Sequence, residues 1–221
     1  MVAFYVYCII PFASSSKTNP IVIDYANMIG RSPSALNMKI GNIGRLDPEL
    51  KNKEYYMFNT WCKDGRTCVW NEFNSDREKL VYEAEKIIEK LTNKSVENIY
   101  LQSEELNYSS QDKVKLVKTR INQNFFRSSV LSAYNNACAI TRIKINEFLV
   151  ASHIKPWVKD ENNRLNPHNG ICLNSIHDRA FDRGLITIGR DYKIIISSRL
   201  KDFYTNEFID DVFKNMMGKK L

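Results

Sequence analysis

Two histidines and an asparagine, His153, Asn169 and His177, lie within 25 residues of one another in the C-terminal half of the chain. The apolar segment EFLVASHI predicts a buried strand that carries His153 at its end, and NPHNG predicts an exposed turn. A helix that begins near Ile171 would carry His177. The segment therefore predicts an α+β module in which two short strands, a loop and a crossing helix hold a polar site.

The strings FFRSSVLSAYNNACAITR, ASHIKPW and NGICLNSIHDRAFDRGLITI resemble the HNH endonuclease family over about residues 120 to 190. The resemblance implies a ββα-metal fold that hydrolyses phosphodiester bonds with Mg²⁺ or Mn²⁺. It also implies that His153 is the general base, that Asn169 fixes the backbone or orients this base, and that His177 is a metal ligand. The alternatives are a structural, hydrogen-bonded His153 and a turn-forming Asn169.

The chain departs from the family at Ser152, where many members have an aspartate or a histidine as a second metal ligand. A hydroxyl cannot supply the negative charge that Mg²⁺ prefers, so Asp182 or Asp178 would have to replace it. Asp178 follows His177 directly and should point about 100° away from it on a helix. We therefore expect Asp182 to be the second ligand, with capping of the helix end as its structural alternative.

Residues 19–46 predict two short helices joined by a tight turn, with helix-turn-helix-like spacing. Thr18 or Asn19 can cap the first helix, Gly30 can end it, and Ser32 can cap the second. In a DNA-reading motif, the second helix and its start would present four polar residues to DNA: Arg31, Ser34, Asn37 and Lys39. The alternative is a helix pair that only packs.

The remaining segments predict five further elements. The apolar N-terminus MVAFYVYCIIPF predicts a buried strand, and YYMFNTWCKDGRTCVWNEF predicts a hairpin around Asp64 and Gly65. An amphipathic helix is expected from Ser75 or Asp76 to about Leu91, and a closing hairpin from GLITI and YKIIISS. A long helix from about Asp112 to Asn135 would have a basic exposed face.

Two arginines of this long helix, Arg120 and Arg127, are predicted to contact DNA phosphates. Arg127 is a stronger candidate than the lysines of this helix because it lies in FFR, which resembles the aromatic-Arg element of the family. A solvated helix face is the alternative for the basic residues as a group.

The charge distribution agrees with a nucleic-acid partner for the C-terminal half. Residues 111–221 hold 19 lysines and arginines against 11 acidic residues, whereas residues 1–110 hold 13 against 14. A basic excess beside the candidate site is expected if this half approaches a polyanion. Five cysteines without a CxxC pair argue against a zinc clamp and against a secreted disulfide framework. No segment reaches the length of a membrane span, so we expect a cytoplasmic protein.

These observations predict an α+β protein with a mainly helical DNA-recognition domain at residues 1–101, a linker at 102–112 and an HNH nuclease domain at 113–221. The predicted function is that of a restriction-like, metal-dependent endonuclease that acts on double-stranded DNA. Cleavage of both strands would need a homodimer or two sequential nicks. The alternative is a DNA-binding regulator whose HNH fold has lost catalysis, which the serine at position 152 favours.

Overall fold

A computed structural model of the protein describes residues 1–51, 66–93, 100–101, 109–160, 163–203, 207–213 and 216–221. The N-terminus forms a buried helix, α1 (Val2–Ile9). The prediction of a strand was wrong. A short apolar run has no period that separates a buried strand from a buried helix. Here the neighbours of the segment are other helices, and a helix satisfies its backbone hydrogen bonds without a pairing strand.

Helices α2 (Pro20–Met28) and α3 (Pro33–Gly44) confirm the predicted helix pair. Asn19 caps α2, since its side-chain oxygen accepts a hydrogen bond of 2.9 Å from the backbone N–H of Ile21. Ser32 caps α3 by accepting from the backbone N–H of Ala35 at 3.2 Å. Gly30 lies between them with φ at +62°, the left-handed conformation that ends a helix at low cost.

The short helix α4 (Pro48–Lys51) precedes α5 (Arg66–Phe73) and α6 (Arg77–Thr92) in the described part of the chain. Because α5 is helical, the second strand of the predicted hairpin was wrong, and the rest of that hairpin lies outside the described residues. The predicted helix from Ser75 or Asp76 is confirmed as α6, with Asp76 accepting from the backbone N–H of Lys79 at 2.9 Å.

The long helix α7 (Ser110–Ala133) is the central element of the molecule and contacts α1, α6 and the first sheet. Ser109 caps it by accepting from the backbone N–H of Asp112. The helix therefore begins two residues earlier than predicted, inside the expected linker. Residues 102–108 of that linker lie outside the described residues.

Two antiparallel strands, β1 (Leu149–His153) and β2 (Gly170–Asn174), pair so that Leu149 lies opposite Asn174 and His153 opposite Gly170. Helix α8 (Ser175–Asp182) follows, so residues 149–182 have the order ββα. The expectation that this helix begins near Ile171 was wrong, because residues 170–174 form β2. The hairpin β3 (Ile186–Ile188) and β4 (Ile194–Ile196) confirms the predicted closing hairpin, and α9 (Glu207–Val212) lies beyond it.

One continuous hydrophobic cluster joins the N-terminal helices to the ββα segment. It includes Tyr5 of α1, Phe125 of α7 and Leu173 of β2. The rings of Tyr5 and Phe125 lie 5.5 Å apart, which shows direct packing between the two regions. Within the described ranges, no helix combines the length and the apolar character that crossing a membrane requires.

Candidate active site

His153 ends β1 with its imidazole held between aromatic side chains. The ring stacks on Phe126 of α7, with 3.7 Å between the ring centroids and 8° between the planes, and the edge of Trp157 meets it at 5.4 Å. Its Nε2 lies 3.1 Å from the carbonyl oxygen of Arg164. A carbonyl can only accept, so this hydrogen bond requires the proton on Nε2 and leaves Nδ1 of the neutral ring as an acceptor.

Asn169 is buried and holds the backbone that follows His153. Its Oδ1 accepts from the backbone N–H of Lys155 at 2.8 Å, and its Nδ2 donates to the carbonyl of Lys155 at 3.2 Å. The backbone carbonyl of Asn169 also accepts from the N–H of Ile154 at 2.8 Å. These bonds fix the two residues that directly follow His153 at the end of β1.

Gly170 lets α7 approach the end of β2 closely. A Cβ at this position would lie 2.3 Å from a side-chain carbon of Val130 and 2.9 Å from the ring of Phe126. Because the same Phe126 ring supports His153, the absence of a side chain at position 170 helps to set the position of the imidazole.

His177 lies on α8 in a different environment, with 1% of its surface exposed. Its Nε2 is 3.2 Å from the carbonyl oxygen of Val212, and the ring of Phe213 meets the imidazole edge-on at 5.7 Å. These neighbours are distinct from the neighbours of His153. In the described part of the chain, the two imidazoles therefore share no contacting residue.

The buried Cys138 thiol lies beside His177. Burial alone would raise the pKa of this thiol, but His177, Thr141 and nearby backbone groups together lower it to about 6. The thiol and the imidazole do not form a hydrogen bond by distance and angle, since Nδ1 of His177 has no hydrogen-bond partner among the described residues. His177 is thus linked to the core more closely than to the strand that carries His153.

Ser152 and Asp178 meet on the other side of β1. The hydroxyl of Ser152 donates a short hydrogen bond to Oδ1 of Asp178, the residue after His177. Neighbouring side chains on a strand point to opposite faces, so Ser152 faces α8 while His153 faces α7. Asp182 is the last residue of α8 and is exposed. The carboxylate that reaches the strand beside His153 is therefore Asp178.

Among the described residues, no group of three or more His, Cys, Asp and Glu side chains converges as a metal site would require. The pair of His177 and Asp182 fits a metal poorly, because His177 is buried against Val212 and Phe213. Asp178 and Ser152 supply a carboxylate and a hydroxyl oxygen in contact, which fits Mg²⁺ as an ion that binds few protein oxygens and keeps several waters.

The four predicted DNA-reading residues lie on α3 and in the turn that precedes it. Arg31, Ser34 and Lys39 are exposed, while Asn37 is half-buried and accepts a hydrogen bond of 2.5 Å from the hydroxyl of Ser15. Three of the four side chains are thus accessible to a ligand. Their role in binding DNA stays a prediction.

Arg120 and Arg127 of α7 make hydrogen bonds within the protein. Arg120 donates a short hydrogen bond to the carbonyl of Tyr100, and Arg127 donates to the carbonyls of Leu149 at 2.7 Å and Asn146 at 3.1 Å. Arg127 therefore fastens the start of β1 to α7. Phosphate contacts by either arginine stay a prediction.

A strand that ends in a histidine, a second strand that follows an asparagine and a helix packed on both strands are the features of a ββα nuclease module. Residues 138–189 match the family described as HNH endonuclease. This segment of the chain is therefore an HNH domain of the HNH endonuclease family. No curated protein matches the chain.

Sequence reasoning missed the contact between Asp178 and Ser152. A signal was present in the sequence, because Asp178 points away from His177 on a helix and Ser152 points away from His153 on a strand. It was not sufficient alone, since the sequence does not say which face of α8 meets β1.

Proposed function

We propose that the protein is a metal-dependent DNA endonuclease of the restriction-like type that hydrolyses phosphodiester bonds in double-stranded DNA. The HNH domain indicates a nuclease-type function. The observation that carries the proposal is the orientation of His153. The Arg164 carbonyl engages its Nε2, and Nδ1 is left to take a proton from water.

In this proposal the described residues have separate tasks. His153 accepts the proton, Phe126 and Trp157 hold its ring, and Asn169 fixes the turn behind it. A divalent ion, Mg²⁺ or Mn²⁺, supplies positive charge for the scissile phosphate and the leaving oxygen when bound. Asp178 and Ser152 would hold it, in preference to His177 and Asp182.

The proposal includes a cytoplasmic location and a double-stranded DNA partner. A single site cuts one strand in each encounter, so cleavage of both strands requires a homodimer or two successive nicks.

The test compares wild type with His153→Ala on varied plasmid and phage DNA, with Mg²⁺, with Mn²⁺ and with EDTA. We expect metal-dependent fragments from wild type only, while the variant retains DNA binding in a gel shift. Loss of a general base typically costs about 100- to 10,000-fold in rate. Cleavage by His153→Ala at the wild-type rate would refute the role of His153. A melting curve for each protein shows that both are folded.

A catalytically inactive DNA-binding protein on an HNH fold is the second candidate function. The burial of His177 beneath Val212 and Phe213 favours it, because this histidine is then unable to ligate a metal. Binding of DNA without cleavage under any of the metal conditions would support this alternative.

A further inference from the structure

A cleft of about 460 Å³ opens beside the HNH site, between the N-terminal helices and α7. Ile154 and His168 line it at the β1–β2 end, and these residues adjoin His153 and Asn169 in the chain. Its other walls include Tyr7 of α1, Arg77 at the start of α6 and Ser129 of α7. The cleft therefore lies next to the site and is formed jointly by the two regions of the protein.

One wall of the cleft carries the buried hydroxyl of Ser129, a residue that is 2% exposed. Among the residues that the structure describes, its Oγ has no hydrogen-bond partner. Such a group lowers the stability of the folded protein, because it has lost its hydrogen bonds to water without replacement. Its position in a cleft wall is explained if a bound ligand supplies the missing partner.

The part of the cleft lining that comes from the N-terminal region offers both charge signs close to aromatic rings. Asp47 accepts a hydrogen bond of 2.5 Å from the hydroxyl of Tyr7, and burial together with this bond raises the pKa of Tyr7, which stays a neutral donor. Arg77 donates to Cys8 Sγ at 3.0 Å, and its guanidinium lies 4.9 Å from the ring centre of Phe4. The cleft thus combines a carboxylate, a guanidinium, a hydroxyl and aromatic surface.

This combination suits a planar heteroaromatic ring with donors and acceptors along its edge, which is the chemistry of a nucleobase. The volume is within the range of small-ligand sites and holds one nucleotide, whereas a duplex is far too wide to enter. A base from the DNA substrate must therefore leave the base stack to occupy it.

We propose that this cleft binds a single nucleobase turned out of the DNA next to the bond that the HNH site cleaves, with Ser129 and Arg77 as recognition residues. This inference rests on the proposed endonuclease function only for the source of the base. The cleft itself can be tested without cleavage.

The first experiment measures binding of the four deoxynucleoside monophosphates to full-length wild type by saturation-transfer NMR. We expect saturation of base protons for at least one nucleotide. Ala13 is exposed at the edge of the cleft, so Ala13→Trp blocks the cleft without disturbing the core, and we expect it to abolish the signal. An equal signal in Ala13→Trp, or no signal with any nucleotide, would overturn the inference.

A matched pair of serine substitutions tests whether the Ser129 hydroxyl binds the ligand. Ser129→Ala should weaken nucleotide binding at least fivefold without lowering the melting temperature, because the hydroxyl has no partner in the described part of the chain. Ser128→Ala, its neighbour on α7 outside the cleft lining, should bind as wild type does. Unchanged binding by Ser129→Ala would remove this residue from the recognition set and refute the proposal as stated.

Cleavage then distinguishes a DNA base from a free nucleotide. If the base comes from the substrate, Ala13→Trp should lose at least tenfold in kcat/KM on any DNA that wild type cleaves. Undiminished cleavage by Ala13→Trp would overturn the DNA-base assignment while leaving the endonuclease function intact. Nucleotide binding in the cleft by a protein that cleaves no DNA would instead refute the endonuclease function and retain the nucleobase site.

Discussion

The hydroxyl of Ser152 donates a short hydrogen bond to the carboxylate of Asp178, across the contact between β1 and α8. This bond places an acidic side chain against the residue that precedes His153. It also distinguishes Asp178 from Asp182, the two carboxylates that the sequence left open as metal ligands, because Asp182 lies exposed at the end of the same helix.

Asp178→Asn is expected to slow metal-dependent cleavage strongly, whereas Asp182→Asn should retain most of the activity. The amide keeps the shape of Asp178 and removes the negative charge that a divalent ion needs. Cleavage rates titrated against Mg²⁺ measure the effect, and we expect the rate of Asp178→Asn to fall by about 100-fold or more at moderate Mg²⁺, the scale of losing a catalytic group. The reverse ranking of the two variants would assign the ligand to Asp182.

Gly170→Ala is expected to destabilise the protein by about 1–3 kcal/mol, the usual cost of overpacking a core. The added methyl would collide with Val130 and with the Phe126 ring beneath His153, so cleavage should fall as well. Urea unfolding and cleavage rates report the two effects.

Gly41→Ala is the matched control for this substitution. Gly41 lies in α3, and a Cβ added there would meet nothing within 4 Å. Alanine in a helix is favoured over glycine by roughly 0.5–1 kcal/mol, so this variant should be slightly more stable than wild type. Equal stability changes in the two variants would contradict the close approach of α7 to Gly170.

Glu85→Gln should change how stability depends on pH. Burial raises the pKa of the Glu85 carboxyl above its ordinary value of 4.5, against the opposing hydrogen bonds from Tyr5 and Tyr100. Around this pH the folded state binds more protons than the unfolded state. The contribution of Glu85 to the stability of the folded protein therefore falls as pH rises from 4.5 through the folded pKa. The effect is about 1.4 kcal/mol for each unit that separates the two pKa values.

The measurement is the free energy of unfolding in urea at pH 4 and pH 7 for wild type, Glu85→Gln and Glu83→Gln. The free energy of unfolding of Glu85→Gln, relative to that of wild type, should be higher at pH 7 than at pH 4. Glu83→Gln, on the same helix α6, controls for the loss of one negative charge. A difference between wild type and Glu85→Gln that is independent of pH would mean that the carboxyl titrates normally.

Lys39→Ala should weaken DNA binding or broaden the choice of site if α3 reads DNA. Lys39 is exposed on α3, and removal of one phosphate contact lowers the slope of log affinity against log salt by about one. Gel shifts at several salt concentrations measure this slope. Lys90→Ala, an exposed lysine on α6, is the control, and identical binding by both variants would exclude α3 as the reading helix.

Several elements in both halves of the chain could be predicted because local signals agreed with the final packing. The strand that ends at His153 and the hairpin after Gly184 have apolar periodicity, and Asn19, Ser32 and Asp76 cap helices where their side chains can reach backbone N–H groups. Each of these signals depends on residues a few positions apart.

The features that the sequence did not reveal depend on distant neighbours. Helix α1 was expected to be a strand because only its packing between helices decides the conformation of such an apolar run. The burial of His177 depends on Val212 and Phe213, more than thirty residues further along the chain. Likewise, the hydrogen bonds of Arg127 to Leu149 and Asn146 could not be read from a basic helix face.

Helix α1 contacts both α3 and α7, so one element connects the helix expected to read bases with the helix that supports the imidazole. If α3 reads DNA and the HNH domain cuts it, this packing sets the distance between the recognised sequence and the broken bond. The cleavage products would then end at one position instead of at several.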